Sequence, residues 1–162
     1  MKNFIIVFLL SCVLFACSSK HDPHAFVNFG NIPIIEMALD VDTVHMIIDT
    51  GAEYSIINSD YYDAHSHNFR MVNQLETVLT GVGGSRSQFS NVIWTGTSFG
   101  NVTFVEYDIS EVIKKFPDYN IAGLLGSDFL RQHNYVVDYK VRRIYPYEMR
   151  DSIYAEINSK HR

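Results

Sequence analysis

The chain has 162 residues, 47% of them hydrophobic and 19% charged, enough apolar material for one domain with a core and too much for an intrinsically disordered chain. Its formal charge of −5 argues against a nucleic-acid binder, which would present a basic face. Two cysteines are too few for a disulfide framework or a cysteine-rich metal fold.

Lys2 is followed by a nearly unbroken apolar stretch, Phe4 to Ala16. This is shorter than the roughly 20 residues a helix needs to cross a bilayer. The length fits the apolar region of a signal peptide. The stretch ends Leu14-Phe15-Ala16-Cys17, then Ser18-Ser19-Lys20. This ending resembles a bacterial lipoprotein signal, although Phe15 is bulkier than the usual residue there. The resemblance implies that residues 1–16 are removed and that Cys17 is lipidated as the new first residue. The expected location is the bacterial cell envelope, lipid-anchored at the outer membrane or periplasmic face. An ordinary secretory signal cleaved nearby is the alternative. With Cys12 removed and Cys17 capped, a mature lipoprotein has no free thiol, which excludes cysteine catalysis. Residues 17–25 are polar and read as a tether.

From Phe26 onward the chain is a series of short β-type segments. Ile32 to Leu39 and Thr43 to Ile48 read as strands, with a hairpin turn at Asp40-Val41-Asp42. Tyr54 to Ile57 is a short apolar strand. Asn58 to His67 suits a helical turn capped by Asn58 or Ser59. Leu75 to Leu79 alternates, Gly81 to Ser85 is a glycine turn, and Gln88 to Thr95 is the return strand. After a turn at Ser98 to Asn101, Val102 to Ile109 alternates again. Ser127 to Gln132 suits one short helix, followed by strands Tyr135 to Tyr139 and Val141 to Tyr147. Many short strands joined by glycine turns predict an all-β, barrel-like domain over 26–147. In the tail, 148–162, Met149, Ile153 and Ile157 recur every four residues. That spacing predicts an amphipathic helix, which must dock on the body or on a second subunit to be stable.

One stretch carries chemistry. Ile47-Ile48 runs into Asp49-Thr50-Gly51-Ala52, and Tyr54 to Ile57 returns. About thirty residues later a strand pair flanks Gly81 to Ser85. Near the end come Ile121-Ala122-Gly123-Leu124-Leu125-Gly126-Ser127-Asp128-Phe129-Leu130 and Val136-Val137-Asp138-Tyr139. This order resembles the retropepsin-like aspartic proteases, particularly bacterial single-domain ones, over roughly residues 26–147. The resemblance implies a closed β-barrel with a glycine-rich flap hairpin and one short helix. It implies a catalytic Asp49 in a loop with Thr50 and Gly51. Ala52, Glu53 and the flap residues Val82, Gly83 and Gly84 are then expected to contact substrate.

Peptide hydrolysis of this kind uses a water held between two carboxylates. Two carboxylates in contact share one proton, so one member acts as base and the other as acid. The chain has a single Asp-Thr-Gly, so the second aspartate is expected from a second subunit, and a two-fold dimer supplies it. The expected partners are therefore a peptide or protein substrate, a second copy of the chain and a membrane reached through the lipid, with no nucleic acid. Two positions depart from the retroviral pattern, in which an acid and an arginine brace the loop. Glu53 and Ser127 stand there, with Arg131 one helical turn further on as a possible substitute. No cofactor is expected. No metal site is expected either, since Asp63, His65 and His67, or His21 with His24, lack a full ligand set. Asp128 suits the first turn of a helix better than a catalytic role. A catalytically silent peptide-binding or scaffold lipoprotein of the same fold is the alternative function.

Overall fold

A computed structural model describes residues 25–39, 42–73 and 91–160. The flap residues Val82, Gly83 and Gly84, and Cys17 with the signal and most of the tether, lie outside the described residues.

Among the described residues ten strands and four α-helices follow one another. They are β1 (Phe26–Phe29), β2 (Ile32–Leu39), β3 (Asp42–Ile48), β4 (Ile56–Asn58), α1 (Ser59–Ala64), β5 (Phe69–Asn73), β6 (Asn91–Thr97), β7 (Gly100–Tyr107), α2 (Ser110–Ile113), β8 (Ile121–Leu125), α3 (Ser127–Gln132), β9 (Tyr135–Asp138), β10 (Arg143–Pro146) and α4 (Arg150–Lys160). Eight strands form one sheet in the order β1-β2-β3-β8-β4-β7-β6-β5, and β9 and β10 form a separate hairpin. The all-β expectation holds.

The strands alternate, and both faces of the sheet are covered. Ile35, Met37 and Leu39 of β2, Val44, Met46 and Ile48 of β3, and Leu125 of β8 enter the main core with Trp94, Phe104 and Phe129. Their neighbours Ile34, Ile47, Ile56 and Leu124 enter a second, smaller core with Ile109 and Phe116. Adjacent strand residues point to opposite faces, so pairs such as Ile34-Ile35 and Ile47-Ile48 serve both cores. Each fully buried large side chain contributes about 1.5–3 kcal/mol. β8 is buried along its whole length, as its position between β3 and β4 requires.

The expected closed barrel is not found. Within the described residues β1 and β5 end the sheet, and the only pairing across it is Leu39 with Thr97. The amide of Ser98 adds a bond to the carbonyl of Ala38 at 3.1 Å. The seam stays short because β1 already occupies the same sheet edge of β2 from Ile32 to Ile35. The single short helix expected within 26–147 also needs correction, since the described residues there hold three, α1, α2 and α3. α2 is one turn long, too short for any periodicity to be read. The cap expected at α1 differs too: Asn58 makes no side-chain cap bond there. Its Oδ1 instead accepts from the amide of Ile109 at 3.0 Å, which ties the start of α1 to the chain entering α2.

The tail docks on the body. Ile153 is buried, and Arg143 pairs with Glu156 at 3.7 Å. Asp138, at the end of β9, is the anchor. Its Oδ2 accepts from the hydroxyls of Tyr145 at 2.7 Å and Tyr154 of α4 at 2.6 Å. Its Oδ1 accepts from the amides of Lys140 and Val141. Burial works against the carboxylate, but the bonds from Tyr154, Tyr145, Val141 and Lys140 together outweigh it and hold Asp138 below its ordinary value. Burial and the neighbouring Asp138 push the Tyr145 phenol up to about 12. A carboxylate with a depressed native value stabilises the fold above its unfolded value, near 3.8, and that contribution is lost as pH falls through the native value. Tyr154→Phe should therefore lower the urea midpoint at pH 7 and fray α4. The gap to wild type should shrink below pH 3.8, as read from midpoints and far-ultraviolet circular dichroism across pH.

Candidate active site

β3 delivers Asp49. Ile47 and Ile48 are buried and hold the strand in the sheet to its last residue. The parallel pairing of Ile48 with Leu125 of β8 is prolonged by one further bond, from the Asp49 amide to the Leu125 carbonyl at 3.0 Å. Beyond that bond the chain turns sharply. The Gly51 amide donates to Asp49 Oδ1 at 2.9 Å, and the Ala52 amide to the Asp49 carbonyl at 3.1 Å. The carboxylate is thus oriented by its own loop. Asp49, Thr50, Gly51 and Glu53 are exposed, and Ala52 is half-buried.

The return leg of the loop is pinned from below. The Ser127 amide donates to the Ala52 carbonyl at 2.9 Å, and the Asp128 amide to the Glu53 carbonyl at 3.1 Å. Ser55 is fully buried and works in three directions. Its hydroxyl donates to Asp128 Oδ1 at 2.7 Å and accepts from the Gly126 amide at 3.0 Å. Its carbonyl accepts from Val105 of β7 at 2.8 Å. Asp128 Oδ1 also accepts from the Phe129 amide at 2.7 Å, inside the first turn of α3. Two glycines allow this closeness. A Cβ on Gly126 would lie 2.6 Å from the Tyr54 backbone, and one on Gly123 would lie 2.1 Å from the Ile56 carbonyl oxygen. The apolar run before α3 therefore packs directly under the Asp49 loop.

The Glu53–Ser127 departure is resolved by this arrangement. Glu53 is held through its backbone carbonyl, to which the Ser127 hydroxyl also points at 3.4 Å. Among the described residues no ion pair joins Glu53 to Arg131. The bond from Ser55 to Asp128 braces the loop within one chain. Burial, followed by the charge of the adjacent Glu53 carboxylate, raises the Tyr54 phenol above its ordinary value.

Asp49 and Thr50 open onto a cleft of about 380 Å³. Ile32 and Pro33 of β2, Ile47, Leu124, and Val112 and Phe116 from α2 and its exit contribute to its walls. Asp49 is the only acid among the described residues that line it. α2 is fixed by the Asn58–Ile109 bond and by Asp108, whose Oδ1 accepts from the Ser110 amide at 2.9 Å. Bonds from the Ser110 hydroxyl and amide lower the Asp108 carboxyl below its ordinary value. Phe116 is buried and packs on Phe29 with ring centres 5.1 Å apart.

Of the residues expected at the site, Asp49, Thr50, Gly51, Ala52 and Glu53 lie together on one loop, and the first two line the cleft. Val82, Gly83, Gly84 and Cys17 lie outside the described residues. The wall from α2 was not foreseen, although Asp108-Ile109-Ser110 is a legible helix start. Ser55 gave no signal, because its partner is 73 positions away in the chain. Among the described residues no three His, Cys, Asp or Glu side chains gather as a metal-ligand group. His65 instead faces Asp42 at 3.2 Å and stacks on Tyr61.

Removing the Ser55 hydroxyl takes a bond from a carboxylate and leaves the buried Gly126 amide without its acceptor. Ser55→Ala should cost about 2 kcal/mol of stability. Asp128→Asn should cost less, because an amide oxygen can still accept from Ser55, and Asp128→Ala should cost more than Asp128→Asn. Equilibrium urea denaturation of the three variants checks this order.

Comparison with known proteins places the chain. Residues 30–137 match the retroviral aspartyl protease family. No curated protein matches the chain. Among solved structures, it is similar to a retropepsin-like aspartic protease from Rickettsia conorii, with 15% identity and a TM-score of 0.49 over 74% of this chain and 86% of that one. It is similar to the retroviral protease-like domain of Ddi1 from Leishmania major, with 16% identity and a TM-score of 0.42 over 76% and 87%. It is also similar to the EIAV protease complexed with the inhibitor HBY-793, with 18% identity and a TM-score of 0.42 over 65% and 91%. The family match begins in the turn before β2, runs into β9 and includes the Asp49 loop with the β8 run beneath it, so this chain belongs to the retroviral aspartyl protease family.

Proposed function

We propose that the protein is an aspartic endopeptidase anchored in the bacterial cell envelope and active as a homodimer. The observation that carries this reading is the placing of Asp49. It stands at the end of a buried strand, fixed by Leu125 and Gly51, and is exposed in an apolar cleft where it is the only described acid. Membership of an aspartic protease family supports peptide-bond hydrolysis as the reaction. One carboxylate is half of what that chemistry needs. A two-fold dimer brings the Asp49 of each subunit to one water. The charged member takes a proton from the water, and the protonated member donates to the scissile carbonyl oxygen. Thr50 stiffens the paired loops, and Gly51 lets them approach. Ala52 and Glu53 bind substrate from the loop, and Val82, Gly83 and Gly84 bind it from the flap.

Residues 1–16 act as the signal, Cys17 carries the lipid, and 17–25 tether the protease domain, 26–147, with the tail 148–162 as a helical appendage. An anchor concentrates subunits on a surface and offsets a weak interface. The single Asp-Thr-Gly and the exposed Asp49 loop equally suit a lone domain that holds a peptide without cutting it, so the tests separate the two.

Asp49→Asn keeps the shape of the side chain but not its basicity. It should lower the cleavage rate by about 10²–10⁴-fold while leaving the circular dichroism spectrum unchanged. Mixing wild-type and Asp49→Asn chains equally, after verified subunit exchange, leaves about a quarter of dimers with both aspartates. Activity should then fall well below half at constant total chain, and a straight line through one half would rule out the shared site. Cys17→Ser should leave the precursor unprocessed and deprive the protein of its acyl chains. Metabolic labelling with a fatty acid and membrane fractionation read this out, and a Cys17→Ser product that still takes up label would refute lipidation at Cys17.

A further inference from the structure

We propose that Lys115 makes the cleft beside Asp49 a subsite for an acidic peptide side chain, glutamate in preference to aspartate, next to the scissile bond. This rests on the reading of the cleft as a peptide site and adds its substrate class. α2 ends in two adjacent lysines with different surroundings. Lys114 turns to Glu111, with Nζ 2.5 Å from Oε1. Lys115 lines the cleft, is the only cation among the described lining residues, and makes no ion pair among the described residues.

Its backbone is not free to drift. The Lys115 amide donates to the Val112 carbonyl at 3.0 Å, and the next residue, Phe116, is buried against Phe29. The base of the side chain is therefore fixed beside the cleft, and the exposed, flexible stem lets the ammonium swing to a charge placed there. Most of the rest of the lining is apolar, including Ile32, Ile47, Val112 and Leu124. A side chain lying there needs methylene groups along its stem and can carry one charge at its end. Glutamate has both, and aspartate is one methylene short. Asp49 would repel a carboxylate placed beside it, whereas Lys115 gives that carboxylate a partner of opposite sign. The same lining disfavours lysine or arginine in the cleft, because a second cation would meet Lys115.

The test uses the mature chain, 17–162, and peptides acetylated and amidated at their ends, so that only side chains supply charge. Matched Glu, Gln, Asp and Lys peptides are compared at each position flanking the cleaved bond. At one position kcat/KM should be about fivefold higher for Glu than for Gln, in line with a partly exposed ion pair. Raising salt to 1 M should reduce the ratio. Lys115→Met should bring the Glu-to-Gln ratio to one, and Lys115→Glu should reverse it in favour of Lys. A wild-type ratio of one at every position, or a ratio that survives in Lys115→Met, overturns the proposal. The same peptides left unamidated form a second arm: a preference seen only there would assign Lys115 to the chain-terminal carboxylate instead, and would overturn the proposal too. Should wild type cleave no peptide, the peptidase reading fails by itself. Equilibrium binding of the same capped peptides to Asp49→Asn chains then decides the subsite: tighter binding of Glu than Gln, lost on adding Lys115→Met, upholds it, and equal binding refutes it.

Discussion

The buried hydroxyl of Ser55 is the constraint on which the rest of the site depends. One oxygen donates to Asp128 and accepts from Gly126, while the carbonyl of the same residue takes the amide of Val105. Through it the strand leaving the Asp49 loop, the end of β8, the first turn of α3 and β7 are held as one unit. A buried hydroxyl that both donates and accepts has little freedom to move, because either lost bond leaves a polar group unpaired away from water. The loop above inherits that rigidity through the amides of Ser127 and Asp128, which reach the carbonyls of Ala52 and Glu53.

β8 explains why such a lock is possible. It runs parallel to β3 and antiparallel to β4, so it separates the strand that enters the loop from the strand that leaves it. Its five residues are buried on both faces, and its central Gly123 sits where any side chain would strike the Ile56 carbonyl. The price of burying an exposed carboxylate is avoided by geometry: Asp49 is the first residue past the buried strand, in solvent, yet its amide still bonds to β8. A reactive group is placed accurately when it stands one residue beyond a rigid element.

The second core, with Ile34, Ile47, Ile56, Leu124 and Phe116, lies on the face of the sheet that bears the cleft. Its Ile47, Leu124 and Phe116 give the cleft most of an apolar floor, to which Ile48 of the main core adds. α2 sits on this core, fastened at Asn58 and at Asp108, and sets one wall. Substitutions on α2 can therefore alter what the cleft holds without disturbing the Asp49 loop, which is fastened elsewhere.

Local features were legible in the chain itself. Short apolar runs bounded by turn residues set most strands, Ile32 to Leu39 being bounded alike by sequence and by structure. The apolar strand running into Asp49-Thr50-Gly51, and the later glycine run, marked the site and its order. The four-residue spacing in the tail marked α4 and the buried Ile153, but of its other two members Ile157 is half-buried and Met149 is exposed, just before the helix. These are short-range properties, written in side-chain periodicity and in residues a few positions apart. Barrel closure was not legible, because it depends on whether β1 or β6 takes the free edge of β2, and both are compatible with the same alternation. Nor were the partners of Ser55, Asn58 and Asp138, which are Asp128, Ile109 and Tyr154. A serine, an asparagine or an aspartate is a turn-former, a cap or a solvated surface group until the chain folds back and buries it beside its partner. The sequence by itself thus determined most of the strands, the Asp49 motif and a helix in the tail with Ile153 inward. Only the tertiary structure decided how the loop is braced and which residues wall the cleft, because those contacts join segments that local pattern leaves independent.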